Sequence, residues 1–152
     1  MIDLMYLGIV ARLKAMADSS GASVIKTFDL WNEQVDFIEE EDPFETPAVF
    51  IEFLPIEWKG PSSLLQQADA SFKLHIITDY QGSAKDGSSL QGESLERFRI
   101  SKDITKILTG LTIKDGGSVM TQVRRTGSAP NHNHGEIIED IDIYSCKLID
   151  KL

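Results

Sequence analysis

Two stretches, Pro47–Trp58 (PAVFIEFLPIEW) and Ala70–Tyr80 (ASFKLHIITDY), decide the fold. Successive side chains of a strand point to opposite faces. Val49, Ile51 and Phe53 therefore share one face of the first, and Phe50, Glu52 and Leu54 the other. In the second, Phe72, Leu74, Ile76, Thr78 and Tyr80 oppose Lys73, His75 and Ile77. Both are rich in β-branched and aromatic residues. Each has an apolar face and a mixed one, the pattern of an antiparallel sheet covered on one side. Phe50, Leu54 and Ile77 on the mixed faces call for cover by a loop or by a partner subunit.

Outward from this pair, residues 2–17 predict an amphipathic helix. Ile2, Met5, Ile9, Leu13 and Met16 form one stripe, which Tyr6 and Val10 widen. Its polar face is not basic enough for a membrane-surface helix. Residues 24–37 read as a strand or short hairpin turning at Trp31–Gln34. The acidic run Glu39-Glu40-Glu41-Asp42 reads as a solvated loop, since it lacks the glycine and spaced carboxylates of a calcium loop. Leu64–Ala68 reads as one helical turn, and 81–93 (QGSAKDGSSLQGE) as a surface loop without a phosphate-loop pattern.

Residues 94–109 predict a second helix, with Ile100, Ile104, Ile107 and Leu111 on one stripe. Leu95 and Phe98 fall off that stripe, so either the helix bends near Ser101, the preferred reading, or these two residues face a different surface. Gly110 reads as its C-terminal cap. Lys114–Gly117 reads as a connection, Ser118–Thr126 as a strand, Gly127–Gly135 as a polar loop and Glu136–Ile149 as the last strand. The expectation is a single α+β domain over residues 1–152: a mainly antiparallel sheet of four to five strands with two helices on one face, in the order α-β-β-β-α-β-β.

The 152-residue chain has 41% hydrophobic residues and a formal net charge of −9, with pI about 4.7. That suits one folded core and disfavours wrapping a nucleic-acid backbone, which needs clustered Lys and Arg. A negative surface still lets DNA slide past without sticking. One cysteine, Cys146, fits a reducing compartment and a packed thiol. No apolar run reaches the ~18 residues of a membrane helix, and no signal peptide is expected.

His132 and His134 form the main cluster of metal-ligand type, with Glu136 or Glu139 as candidate third ligand. The competing reading is a polar loop at an interface. Asp140 and Asp142 share a strand face and read as solvated charges, and Arg124-Arg125 as ordinary surface charge or a contact to an acidic partner. None of these makes a catalytic or cofactor motif, so no catalytic residue, cofactor or metal is assigned.

The element order resembles that of the bacteriophage tail-terminator and tail-completion family. Phe28-Asp29-Leu30-Trp31, Pro47–Phe53, Leu95-Glu96-Arg97-Phe98 and Ile107–Leu111 carry the local likeness. The resemblance implies a non-enzymatic phage or prophage virion protein that acts in tail assembly. It implies a homo-oligomeric ring, commonly a hexamer, joining tail tube to head–tail connector while DNA passes unbound. It places the protein in the virion tail and, during assembly, in the bacterial cytoplasm. Interface residues expected on this basis are Gln81, Lys85, Asp86, Arg124, Arg125, His132 and His134. The alternatives are a metal-dependent hydrolase using His132 and His134, or a small-ligand-binding domain using the mixed sheet face.

Overall fold

The computed structural model describes residues 1–35, 44–131 and 135–152. The acidic run at 39–42, Phe37, His132 and His134 lie outside the described residues. In chain order the elements are α1 (Ile2–Lys14), β1 (Thr27–Leu30), β2 (Ala48–Phe53), β3 (Lys59–Ser62) and β4 (Leu65–Asp79). There follow α2 (Gln91–Ser94), α3 (Glu96–Leu108), β5 (Ile113–Asp115), β6 (Ser118–Asn131) and β7 (Ile137–Lys151). The described strands form one seven-stranded sheet ordered β1-β2-β4-β7-β6-β5, with β3 also on β4. Every pairing is antiparallel except β1 with β2, which is parallel.

The α+β class and the two helices on one face agree with the sequence; the strand number does not. Seven strands replace the expected four to five, because β3 and β5 have weak strand signals, and a third weak segment lengthens β4 without adding a strand. Leu65–Ala68 is not a helical turn but the start of β4, which pairs with β7 from Leu65↔Lys151 to Asp79↔Ile137. Gln66, Gln67, Ala68 and Asp69 have low β-propensity, yet a long partner strand decides their conformation. β3 runs through Gly60-Pro61 at the sheet margin, where a missing N–H is tolerated. β5 and β6 are joined by Gly116-Gly117, both at positive φ (55° and 100°), the geometry of a two-residue hairpin turn.

Other boundaries moved as well. Of the described residues of the 24–37 segment, only the four of β1 are strand; the return arm of the expected hairpin, at Val35 and Phe37, runs into residues outside the described ones. β6 continues through Gly127 to Asn131, where a polar loop was expected. Two register shifts, between Thr121 and Arg124 and between Arg125 and Gly127, each add a residue to β6. Such bulges bend and twist a strand. The first carries Gln122 at φ 55° and turns Val123 into the core, leaving its carbonyl to accept from the Gly110 N–H at 2.8 Å.

The helix expected to bend at Ser101 breaks instead at Leu95, between α2 and α3. Leu95 and Phe98 stay 40% and 50% exposed, so they face a different surface from the stripe. The buried stripe is Ile100, Ile104 and Leu108. Together with Met5, Ile9 and Leu13 of α1 it covers Val49, Ile51, Phe72, Leu74, Ile76, Tyr144 and Leu148 of the sheet. Gly8 on α1 leaves the space that the Ile113 side chain of β5 occupies.

The opposite face has a smaller core of Val35, Ala48, Phe50 and Ile77 under Trp31, Phe44 and Ile137. Phe50 and Ile77 are thus covered by the chain's own connecting segment. At the centre of the larger core Phe72 stacks on Tyr144, centroids 5.3 Å apart. Burial pushes the Tyr144 hydroxyl up to about 12, so it stays protonated and bonds to the Thr105 hydroxyl at 3.1 Å.

Candidate functional site

Strand periodicity sets Glu52 of β2, His75 of β4 and Glu139 of β7 on the face away from the helices. His75 is 4% exposed and Glu139 2%. The His75 Nδ1 lies 2.8 Å from Glu139 Oε1, and its Nε2 lies 2.8 Å from Glu52 Oε2. Trp31 stacks flat on the imidazole at 3.7 Å. Asn131 donates to Glu139 Oε2 at 3.4 Å, and Lys73 lies 3.6 Å from Glu52. Both ring nitrogens face carboxylate oxygens, so both carry protons or one carboxyl does. Closed under Trp31, the triad ties three strands together.

On the helix side a second polar cluster surrounds Asp142, 2% exposed. Its two oxygens accept from Ser101 of α3 at 2.6 Å and Ser128 of β6 at 2.5 Å. Arg125 approaches the same carboxylate at 3.4 Å and donates to Ser101 at 3.1 Å. Asp140 lies 3.5 Å from Arg97, whose guanidinium sits 4.5 Å above the Phe98 ring. The two aspartates are therefore buried, not solvated as expected. Parity carried this signal, because they alternate on the same side as Tyr144, Cys146 and Leu148.

Two grooves flank α3. The larger, about 680 Å³, lies between α2–α3 and the ends of β4 and β7; Thr78, Gln81, Glu93 and Arg97 help line it. The other, about 610 Å³, lies between α3 and β6 over Asp140 and Asp142. Gln81 lines the first and Arg125 the second, and Arg97 belongs to both. Lys85 and Asp86 are exposed in the segment between β4 and α2, where the Lys85 N–H bonds Ser83 Oγ. Arg124 is exposed on β6 and donates to Ser145 at 3.2 Å. Ser101, Ser128 and Asp142 were not foreseen as a group.

No group of three or more His, Cys, Asp and Glu among the described residues is placed to hold a metal ion. Of the carboxylates considered with His132 and His134, Glu139 already has Oε1 on His75. Burial, with Asp69 nearby, pushes the Cys146 thiol up to about 11, which keeps it neutral and unreactive at ordinary pH. Among the described residues no helix is long and apolar enough to cross a membrane.

These features define a mixed α/β fold with buried polar ties and open grooves. A chain of the structure described as "Virion of native gene transfer agent (GTA) particle" shares this fold. It is 10% identical, with TM-score 0.58, over 95% of this chain and 94% of its own. A second solved structure is 12% identical, with TM-score 0.51, over 100% of this chain and 97% of its own. No family model matches the chain, and no curated protein matches it.

Proposed function

We propose that the chain is a structural, non-catalytic subunit of a phage-like virion: a ring-forming tail terminator or head–tail joining piece. The observation that carries this reading is the nearly end-to-end likeness of fold to a chain of a gene transfer agent virion. Side-chain chemistry supports it. His75, Glu139 and Asp142 are each buried and engaged with side chains on neighbouring elements, an arrangement that fixes strands. In this reading the subunit is a homo-oligomer in the virion tail, meeting tail tube and connector proteins and letting DNA pass.

Location tests the role. The protein is expressed with a small peptide tag in a strain that produces the tailed particle, and gold-labelled antibody is imaged on purified particles. Label at the head-proximal end of the tail is expected. Label along the whole tube, on the head shell, or absent from particles would contradict the assignment.

A further inference from the structure

The two sides of the sheet, β1 at one and β6 with β5 at the other, differ in charge. Residues 27–45 contain eight Asp or Glu and no Lys or Arg. The described ones, Asp29, Glu33 and Glu45, are exposed beside β1, the first strand of the sheet. Lys26 just before β1 is the nearest basic residue in sequence, and its ammonium is held by the Ser23 carbonyl at 2.6 Å. Residues 97–131 carry seven Lys or Arg against two Asp or Glu, four of the basic residues on α3, Lys114 on β5, and Arg124 and Arg125 on β6, where Arg125 lies 3.4 Å from Asp142. β6 itself has Arg124 and Arg125 and no acidic residue.

Both margins also offer unpaired backbone. β1 pairs with β2 on one side, and among the described residues no strand pairs with its other side. β5 covers β6 only at Ser118–Met120, and Gly110 reaches Val123. Beyond that, Arg124–Asn131 has β7 on one side and no described strand on the other. An open strand edge is a template for pairing with another chain. Arg124 lies on one face of this edge, against Ser145. Arg125, against Ser101, and Lys102 of α3 line the groove on the other face.

From this polarity we infer that copies of the chain associate head to tail. The acidic β1 margin of one copy meets the basic β6 margin of the next, at Arg124–Asn131. Charge complementarity between two unlike surfaces selects this pairing and disfavours β1 on β1 or β6 on β6, each of which sets like charges together. A contact between two different surfaces closes into a ring when its rotation allows. The inference rests on the ring-forming reading above and names its contact surfaces.

The full chain with Cys146→Ala, Leu30→Cys and Ser128→Cys is treated with a short bis-maleimide, and assembly is followed in parallel by sedimentation. Covalent ladders from 30-to-128 links are expected, identified by peptide mass. Arg124→Glu and Asp29→Lys should each weaken association about tenfold or more. Mixing the two single variants should restore it, because the two reversed charges then face each other at alternate contacts. Salt raised from about 0.1 M to about 1 M should weaken it as well. Assembly without 30-to-128 links, or assembly indifferent to both charge reversals, overturns these surfaces and leaves the ring reading standing. A chain that never self-associates overturns both. Neither position substituted for charge reversal lies in the core, and near-unchanged thermal melting of the variants would separate lost association from misfolding.

Discussion

His75→Ala is expected to lower the free energy of unfolding by about 3–5 kcal/mol, the usual effect of removing one partner from a buried ionic group. Three losses coincide. Glu139, 2% exposed, loses the ring nitrogen 2.8 Å from Oε1. Glu52 loses its contact at 2.8 Å. Trp31 loses the ring it stacks on. Denaturant unfolding reads the change, and a double-mutant cycle with Glu139→Ala assigns it. Coupling of about 1.5 kcal/mol or more is expected for residues in one network. Additive single effects, within about 0.5 kcal/mol, would mean that the triad is not a structural tie.

Phe72→Ala should cost a similar amount, about 3–5 kcal/mol, through a different cause. Phe72 is fully buried on the helix side of β4, stacked on Tyr144 and tilted against Phe53. Truncation removes apolar burial and leaves a cavity that Tyr144 is poorly placed to fill, since its hydroxyl is held by Thr105. Phe72→Leu, which keeps most of the volume, should cost clearly less, and equal costs for the two variants would contradict a packing origin. The two predictions address opposite faces of the sheet: a polar tie on one and an apolar stack on the other.

The central strands were legible because their alternation is strong. Val49, Ile51, Phe72, Leu74 and Ile76 all lie in the core on the predicted side. Phe50 and Ile77 lie on the other face, beneath the segment around Trp31. The helical stripes were legible in part: Met5, Ile9, Leu13, Ile100 and Ile104 are buried as predicted, but Ile2 is 39% exposed, and Leu108 rather than Ile107 completes the buried stripe of α3. What local pattern could not supply was strand made by a partner. Leu65–Asp69 and Gly127–Asn131 are extended because β7 runs alongside both. β5 is three residues long and was hidden by its own glycine turn.

The polar clusters divide in the same way. Asp140 and Asp142 sat on the buried parity of β7, so their burial was readable in principle. Their partners Ser101 and Arg97 come from α3, more than 35 residues away in sequence, and only the packing of that helix brings them close. The charge polarity of the sheet has the same mixed origin. Its two halves are visible in the sequence, but their placement at opposite margins follows from the strand order.

The most direct measurement of the ring-forming role is the shape and mass of the purified full-length chain. Negative-stain microscopy combined with sedimentation velocity is to be run over a concentration series at low salt. The account predicts closed annular particles of uniform size, growing in proportion as concentration rises and with a central opening. A compact monomer at every concentration, including after addition of purified tail tubes, would contradict it.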